Sequence, residues 1–461
     1  MTNNALPVGA DLRGWLDHLQ TTGRLSAARP GVDLRFELAG IANRLDGDRA
    51  VVFGEPGGKD IPVVSGLLSR REWMAEALGV AETELIDRFQ QACQDPVPWT
   101  EVEHAPCQEE VIREIDLGSL PVPTHNEHDH GPYITAGLLI ARNPTTGSQN
   151  VSIHRLQVSG PDRLGALLLP RHTAAFFNQA EASGTDLEVA IVIGVDPLTL
   201  MSSQAAVPIG HDELEIAGAL RGSPLPVTKA VTNEVRVPAD AEIVLEGRLL
   251  ADVREPEGPF GEFPQYYGPR ADRHVVRIDA MTHRRDPIYH TVVGGGLEHL
   301  LLGCIPREGS FLVHLRQNFQ CVRAVHLPRG GVCRYHLYVQ VRDPEPGEVK
   351  NLILAALGAH YDIKHVTVVD SDVDVFDPHE VEWAVATRFQ ADRDLVLVGG
   401  AQGSRLDPST ADGVGAKMGL DATIPPSGDA DRFTRIRVPG EEEIDLERAV
   451  APAPANWRSA P

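Results

Sequence analysis

The stretch that says most about the fold is Arg254-Glu-Pro-Glu-Gly-Pro-Phe-Gly-Glu-Phe263. A helix is excluded here, because proline lacks the amide proton that a helix interior needs and glycine is a poor helix former. A regular strand would send Glu257 and Glu262, five positions apart, to opposite faces. A tight turn at the glycines can instead aim both carboxylates into one cavity, where their pKa values separate and one carboxyl keeps a proton. On composition alone, a solvated acidic turn is the simpler interpretation.

The segment around this stretch, residues 116–305, alternates short β-type runs with turns. Only residues 171–180 show a clear helical pattern of any length. Many short strands with glycine and proline between them predict a β-barrel or sandwich-like core with added helices. The β-type runs are Tyr133–Ala141, Asn150–Val158, Glu188–Gly194, Glu242–Glu246 and His274–Ala280.

The flanking segments predict mixed α/β structure. A helix with Asp11 as its cap opens the chain. After residue 325, a strand over 332–342, a helix over 349–357 and strands over 365–369 and 395–398 indicate an α/β domain. We therefore divide the chain into an N-terminal α/β segment (1–115), a β-barrel segment (116–305), a linker (306–325), a C-terminal α/β domain (326–440) and a tail (441–461), whose last residues, 451–461, are expected to be disordered.

Composition narrows the class of protein. The 461 residues include 42 Lys and Arg against 65 Asp and Glu, a formal charge of −23. Such acidity argues against nucleic acid or an anionic membrane as partner, because both reward a basic surface. The five cysteines form no CxxC pair, and neither a signal peptide nor a membrane-spanning run is visible. We predict a cytoplasmic protein.

A second polar stretch, Asn150-Val-Ser-Ile-His-Arg155, lies in one of the β-type runs. Its arginine could hold a carboxylate with two parallel hydrogen bonds, although an edge strand with a polar outer face explains the stretch more simply. Because a regular strand would point Asn150 and Arg155 in opposite directions, a joint role requires a bend or bulge between them. His172, at a helix start, is either a ligand or a cap, and Glu213 alone would be a surface residue of a helix.

Three histidines, His125, His128 and His130, form a local cluster in a loop-like setting. Such a cluster can bind a transition metal, although a polar surface loop is the simpler interpretation. A metal-dependent hydrolase that uses this cluster is therefore an alternative function.

Taken together, these stretches resemble the UbiD family of reversible decarboxylases, which use prenylated FMN. The resemblance runs over nearly the whole chain. It implies a mixed α+β and α/β fold, in which a split β-barrel cofactor domain precedes a C-terminal α/β domain. This C-terminal domain is expected to form a homodimer or a larger homo-oligomer. Its most specific elements are residues 150–155, 212–222, 237–247 and 257–262.

The resemblance also implies roles for individual residues. Arg155, Glu257 and Glu262 correspond to the family's catalytic Arg-Glu-Glu set. The ligands of a divalent metal, Mn²⁺ or Mg²⁺, that holds the cofactor phosphate are Asn150, His172 and Glu213. The cofactor-contacting residues are Asn150, Ser152, Ile153, His154, Arg155, Arg171, His172 and Glu213. The implied shell of a neighbouring K⁺ consists of carbonyls near Ser202, Ser203 and Ala205, together with Glu213 and the region of Arg388.

The activity that the resemblance implies is reversible, non-oxidative decarboxylation of an unsaturated acid through a covalent adduct with prenylated FMN. Glu262 is the expected proton donor. The expected substrate pocket contains Leu168, Phe263, His299 and Leu406, and its flat apolar face with a polar histidine favours an aromatic or heteroaromatic acid. A flavin prenyltransferase would supply the cofactor. A non-catalytic flavin-binding protein is a further alternative.

Overall fold

The structure, a computed structural model, describes residues 6–425 and 430–451. The part of the predicted tail that follows Ala451 lies outside these residues. Within them, no helix has both the length and the apolar composition that crossing a bilayer requires.

Strands dominate the middle of the chain, as the sequence predicts. In chain order, the strands of the described residues are β1 (Leu25–Ala27), β2 (Ala50–Phe53), β3 (Val63–Ser65), β4 (Thr100–Glu101), β5 (Glu110–Ile112), β6 (Tyr133–Ile134), β7 (Leu138–Arg142), β8 (Gln149–Ile153), β9 (Leu156–Val158), β10 (Arg163–Ala166), β11 (Leu187–Ile193), β12 (Pro226–Lys229), β13 (Arg236–Pro238), β14 (Ile243–Glu257), β15 (Phe260–Gly261), β16 (Tyr267–Gly268), β17 (Ala271–His283), β18 (Tyr289–His290), β19 (Val322–His326), β20 (His336–Val341), β21 (His365–Asp370), β22 (Leu395–Gln402) and β23 (Val414–Ala422).

Helices concentrate at the two ends of the chain. Asp11 caps the first one by accepting hydrogen bonds from the Arg13 and Gly14 amides, as predicted. The α-helices of the described residues are α1 (Leu12–Thr21), α2 (Glu37–Leu45), α3 (Arg71–Leu78), α4 (Leu85–Gln94), α5 (His172–Ala182), α6 (Pro197–Ser202), α7 (Glu213–Arg221), α8 (Leu297–Arg316), α9 (Glu348–Ala359), α10 (Pro378–Arg388), α11 (Ala391–Asp394) and α12 (Leu446–Ala449). Short 3₁₀ turns cover Val8–Ala10, Pro56–Gly58, Glu82–Glu84, Pro106–Gln108, Leu117–Ser119, Arg329–Gly331, Ala430–Phe433 and Glu441–Glu443.

The central sheet runs in the order β6–β9–β10–β17–β14–β11–β7–β8, with β5 added to β17. Strands β8 and β9 lie near opposite ends of this order, yet only His154 and Arg155 separate them along the chain. Since three Cα steps span at most about 11 Å, the sheet must roll until its two ends approach each other at these residues. The described strands do not pair across that gap, so the sheet is a split barrel, as predicted.

Strand β14 carries the glutamate stretch to the barrel rim. It pairs with β17, but the register shifts between Glu246 and Gly247 and again between Leu249 and Arg254. At Gly247 a Cβ atom would lie 2.0 Å from the Arg277 carbonyl oxygen, so the first irregularity requires glycine. Such bulges bend a strand and turn its end out of the regular sheet.

The C-terminal sheet has the predicted α/β character. Its order is β19–β20–β21–β23–β22, and α9 crosses over between the parallel strands β20 and β21. Helix α8 links this sheet to the rest of the molecule. Leu302 and Ile305 of α8 pack into the core that contains α1, α3, α4 and one face of β7, whereas Phe311 and Leu315 pack into the core beneath β19 and β20.

Two local predictions differ from the structure. The strand predicted over 332–342 begins only at His336, because Val332 and Cys333 have φ angles of 51° and 52°, in the left-handed region that a strand excludes. Helices α6 and α7 also lie in the middle segment, where the sequence predicted only one clear helix. The division of the chain into domains stays a prediction.

Candidate active site

Arg155 brings the two predicted glutamates together. Its Nη2 donates a hydrogen bond to Glu257 Oε2 at 2.7 Å, and its Nη1 contacts Glu262 Oε1. Tyr133 supplies a second donor to Glu257, with its hydroxyl 3.0 Å from Oε1. One hydrogen-bonded group therefore joins side chains from distant parts of the chain, and its Tyr133–Glu257 bond alone spans 124 positions.

The local backbone explains this convergence. Residues 257–262, the glutamate turn, leave β14 through Gly258, whose φ of 88° suits glycine, and enter the hairpin of β15 and β16. On the returning strand, a Cβ atom at Gly268 would lie only 2.9 Å from Arg155 Nη1. Arg155 itself lies at the break between β8 and β9, which is the bend that a joint role with Asn150 requires.

The two glutamates have different surroundings. The Glu257 side chain is fully buried behind Arg155, where the Arg155 guanidinium and the Tyr133 phenol both donate hydrogen bonds to its oxygens. The Glu262 side chain is 12% exposed and lines a cavity. Burial raises the pKa of the Glu262 carboxyl; Arg155 opposes this rise, whereas Glu257 and Asp129 add to it. Glu262 is thus the carboxyl better suited to carry a proton.

The histidine loop does not form a metal site. His125 is buried with its Nε2 2.9 Å from the Thr291 hydroxyl, and burial lowers the pKa of His125 to about 4. His128 packs against the Tyr267 ring, and His130 adds no third ligand. Within the described parts of the chain, no three histidine, cysteine, aspartate or glutamate side chains are placed to hold one metal ion. The alternative of a hydrolase built on these histidines is therefore wrong.

The same loop supports the glutamate turn, which the sequence did not predict. Asp129 Oδ1 accepts a hydrogen bond from the Gly261 amide at 2.8 Å. Gln157 Oε1 accepts from the Gly258 amide at 3.0 Å and also lies 3.0 Å from the Tyr133 hydroxyl. These residues act through partners far away in the chain, so no local sequence signal marks them.

A cavity of about 890 Å³ opens beside Arg155 and Glu262. This volume lies in the upper part of the range for ligand pockets and suits a cofactor together with a small acid. The central sheet and its loops form one wall, and α8 with loops of the C-terminal domain forms the other. The predicted cofactor-contacting residues all line it: Asn150, Ser152, Ile153, His154, Arg155, Arg171, His172 and Glu213.

Asn150, His172 and Glu213 converge on one side of this cavity. Asn150 Oδ1 lies 3.1 Å from His172 Nδ1, and Glu213 Oε2 accepts a hydrogen bond from the Val151 amide at 2.7 Å. The Asn150 amide nitrogen donates to the Thr173 hydroxyl at 3.0 Å, which leaves its oxygen directed toward His172.

The state of Glu213 favours a cation at this place. Its residue is 3% exposed, no basic side chain in the described ranges pairs with it, and burial raises its pKa to about 8. A buried carboxylate without a counter-charge is unfavourable, and a bound cation would remove that penalty. Burial and the charge of Arg171 lower the pKa of His172, so its imidazole is neutral as a ligand must be. An amide oxygen, an imidazole and a carboxylate fit Mn²⁺ or Mg²⁺.

Three of the four residues predicted for the substrate pocket line the cavity. Phe263, His299 and Leu406 line the cavity. Leu168 does not, because its side chain packs into the core of the central sheet while its neighbours Leu167 and Leu169 face the cavity. The prediction for Leu168 is wrong by one position, as happens when an extended segment alternates between two faces.

The predicted K⁺ shell is also only partly assembled. Ser203, Ala205 and Glu213 line the cavity, whereas Ser202 is fully buried and does not line it. Arg388 lies at the end of α10, where its guanidinium is held by carboxylates of the C-terminal domain at 2.7 to 3.0 Å. Arg388 therefore does not belong to this shell.

Comparison with known proteins decides the family. Three family models match the chain in order: the 3-octaprenyl-4-hydroxybenzoate carboxy-lyase N-terminal domain over residues 16–93, the Rift-related domain over 100–297 and the C-terminal domain over 300–422. The chain belongs to the UbiD family. It is a carboxy-lyase of that family, a decarboxylase.

Individual relatives cover almost the full length of this UbiD-family enzyme. Anhydromevalonate phosphate decarboxylase of Methanothermobacter thermautotrophicus is 40% identical over 88% of this chain and 95% of its own. The UbiD-class enzyme HmfF from Pelotomaculum thermopropionicum, solved in complex with FMN, is 50% identical over 95% of this chain and 100% of its own, with a TM-score of 0.94.

Two further solved structures bear on cofactor and substrate. An evolved dimeric form of HmfF in complex with prFMN is 47% identical, covers 96% of this chain and 100% of its own, and has a TM-score of 0.90. The apo 3,4-dihydroxybenzoic acid decarboxylase of Enterobacter cloacae is 31% identical over 95% of this chain and 98% of its own, with a TM-score of 0.89. The two HmfF complexes support a flavin as the cofactor of the family fold seen here.

Proposed function

We propose that this enzyme decarboxylates an aromatic or heteroaromatic carboxylic acid, reversibly and without oxidation, with prenylated FMN as its cofactor. The observation that carries the proposal is the group of Arg155, Glu257 and Glu262 at the wall of a cofactor-sized cavity. The prFMN complex of HmfF supports the cofactor, and the dihydroxybenzoic acid decarboxylase supports an aromatic substrate.

The bound flavin supplies the electron sink that decarboxylation needs and that amino-acid side chains do not provide. The residues of the chain do the remaining work. Arg155 holds Glu257 through Nη2 and Glu262 through Nη1 and lines the cavity, where it would orient the substrate carboxylate. Glu262 delivers its proton to the carbon that loses CO₂ and is reprotonated from solvent through the cavity mouth.

Asn150, His172 and Glu213 would hold Mn²⁺ or Mg²⁺, and Ser203 and Ala205 would contribute to a K⁺ site beside it. The divalent cation lets a protein of formal charge −23 hold the phosphate of the cofactor, which its own acidic surface would repel.

The substrate end of the cavity combines Phe263, His299 and Leu406. An apolar face with one polar group suits a flat ring that carries a heteroatom or a second polar substituent. Since the curated relative is named for anhydromevalonate phosphate, that compound belongs in the same substrate panel.

We further propose a homodimer that forms through the C-terminal sheet, a flavin prenyltransferase as the cofactor supplier and a cytoplasmic location. Five free cysteines are consistent with a reducing compartment.

The test is to co-express the chain with a flavin prenyltransferase and record the absorption spectrum and cofactor mass. Exchange of ¹³CO₂ into 3,4-dihydroxybenzoate, vanillate, furan-2-carboxylate and anhydromevalonate phosphate is then followed by mass spectrometry. Exchange into an aromatic or heteroaromatic acid is the expected result. Loaded enzyme that exchanges only anhydromevalonate phosphate would overturn the substrate class, and bound cofactor without any exchange would favour a non-catalytic flavin-binding protein.

A further inference from the structure

Two arginines enter the cavity from its C-terminal wall without a carboxylate partner. Arg307 lies on α8 and Arg334 lies just before β20, and both line the cavity. Among the residues that the structure describes, neither guanidinium has a carboxylate oxygen within 4.0 Å. Arg307 Nη1 donates to the Gly303 carbonyl at 3.0 Å, and Arg334 Nη1 donates to the Cys333 carbonyl at 3.2 Å. Each guanidinium has five N–H groups, so most donors remain for a ligand.

This lack of pairing stands out because other buried arginines of the molecule are compensated. Arg71 lies 2.6 Å from a Glu308 oxygen, and Arg155 and Arg388 are each held by two carboxylates. The chain has 65 acidic residues against 42 basic ones, so pairing partners are plentiful. Two adjacent guanidiniums left without them fit a site that an external anion completes.

The charges around the two guanidiniums do not cancel. Asp362 is the carboxylate whose charge reaches both Arg307 and Arg334, and Arg171 adds a third positive charge. Asp362 also lies 3.7 Å from the His360 imidazole. Burial, followed by the charge of Arg334, lowers the pKa of Arg307 to about 9. The corner therefore carries net positive charge, which a bound anion would offset.

The corner lies next to the proton donor. The Arg334 guanidinium carbon is 5.2 Å from the centre of the Phe263 ring, and Phe263 directly follows Glu262. His299 Nδ1 accepts a hydrogen bond from the Gly295 amide at 3.2 Å, and burial lowers the pKa of His299 to about 3. A neutral imidazole whose Nδ1 is an acceptor carries its proton on Nε2, so His299 is an additional neutral donor.

We propose that Arg307, Arg334 and His299 form a subsite for a second anionic group of the substrate, a carboxylate or a phosphate. The inference rests on the proposed decarboxylase function and deepens it. Arg155 receives the carboxylate that leaves as CO₂, and the subsite holds the charge that stays. The enzyme then prefers an unsaturated acid with two anionic groups over the corresponding monoacid, because a monoacid leaves both guanidiniums unpaired.

Calorimetric titration of the purified full-length holoenzyme tests the subsite. The probes are benzoate, isophthalate, terephthalate and 4-phosphonobenzoate. At least one dianionic probe is expected to bind about 100-fold more tightly than benzoate. Tighter binding of the phosphonate than of both diacids would identify a phosphate subsite, and the reverse order a carboxylate subsite. Equal affinity for benzoate and all the dianionic probes would overturn the proposal.

Variants locate the effect. Arg307→Met and Arg334→Met are expected to reduce the preference for the dianionic probe to less than about 3-fold. Arg307→Lys and Arg334→Lys keep the charge and are expected to retain a measurable part of it. Arg323→Met removes an exposed positive charge away from the cavity and serves as the matched control. A preference unchanged in both methionine variants would overturn the assignment, and melting temperatures show whether each variant folds.

Two further readouts separate this inference from the proposed function. Flavin content is measured by absorbance, and loss of flavin together with probe binding in the methionine variants would assign the guanidiniums to the cofactor and overturn the subsite. Selective dianion binding that depends on Arg307 and Arg334, without CO₂ exchange into any acid, would support the subsite while the proposed function fails.

Discussion

The difference between Glu257 and Glu262 carries the assignment of the proton donor. Both carboxylate oxygens of Glu257 accept hydrogen bonds in the interior, one from Arg155 and one from Tyr133, whereas Glu262 faces the cavity. Glu262→Gln removes the transferable proton but keeps the size and most contacts. We expect the turnover number of the flavin-loaded enzyme to fall by at least about 100-fold, with flavin content unchanged.

Glu255→Gln is the matched control for this change. Glu255 lies on the same strand but pairs with Arg163 at the surface, so turnover should stay within about twofold of wild type. Near-normal activity of fully loaded Glu262→Gln would show that another group donates the proton.

The pH dependence follows from the direction of the Glu262 shift. Burial raises the pKa of this carboxyl, and the proposed donor acts in its protonated form. Activity should therefore be present below the raised pKa and be lost as the pH rises through it. The pH at which kcat falls should be higher than the pKa of an ordinary glutamic acid. The residual activity of Glu262→Gln should not show this fall. A kcat that increases steadily with pH across this range would contradict the assignment.

Sequence predicts residues best where a motif fixes both identity and spacing. Arg155, Glu257 and Glu262 were selected that way, and the structure brings them into one group. The face of an isolated residue depends on backbone alternation, so Leu168 was misplaced by a single position. Arg307 lacks a carboxylate partner because of how distant parts of the chain fold around it. A local sequence pattern cannot show this.

At the scale of elements, the histidine loop and the glutamate turn act as one unit. Asp129 accepts from the Gly261 amide, which fixes the turn on which Glu262 depends. In Asp129→Ala the Gly261 amide loses its carboxylate acceptor. We therefore expect the free energy of unfolding to fall by about 1–3 kcal/mol and kcat to be lower. Denaturant unfolding and steady-state kinetics measure the two effects.

Asp116→Ala is the control for the loss of an aspartate that accepts an amide hydrogen bond. Asp116 accepts from the Gly118 amide at 2.9 Å in an exposed turn, so stability changes there without an effect on the glutamate turn. If Asp129→Ala left kcat unchanged while Asp116→Ala lowered it, the loop would not position Glu262.

Elements were predictable from sequence in proportion to the regularity of their pattern. The apolar run of β11 and the cap of α1 both appear as expected. The sequence indicated a helix at Glu213 but placed that residue at the surface, whereas α7 is buried: a Cβ atom at Gly218 would lie 2.7 Å from the Val97 carbonyl oxygen. Long-range packing of this kind decides how deeply a helix is buried, which local propensity does not show.

At the scale of the whole molecule, α8 couples the two walls of the cavity. The helix carries His299 and Arg307 on the cavity side and packs against both the N-terminal and the C-terminal cores. Motion of the C-terminal domain would move Arg334, which lies just before β20, relative to Arg155. His299 and Arg307 flank Leu302 and Ile305, which pack into the N-terminal core, so they would move less.

The outer face of the C-terminal sheet is the surface on which the proposed homodimer depends. Strand β22 is an edge strand, and its pairing with β23 places Leu395 opposite Leu420 and Leu397 opposite Met418 on one face. Leu397 is 69% exposed. Helix α9 covers the other face, where Ile353 packs against Gly419. A Cβ atom at Gly419 would lie 2.1 Å from Ile353 Cγ2.

An exposed apolar strip beside an unpaired edge is unfavourable in water, and a second copy of the chain would cover it. Leu397→Glu places a charge in that interface, and we expect it to shift the protein from dimer to monomer. Light scattering after size-exclusion chromatography gives the mass of each form. Val111→Glu, an equally drastic change at an exposed residue on β5, should leave the dimer intact. A monomeric wild type, or a Leu397→Glu variant that stays dimeric at micromolar concentration, would show that the two copies do not meet through this sheet.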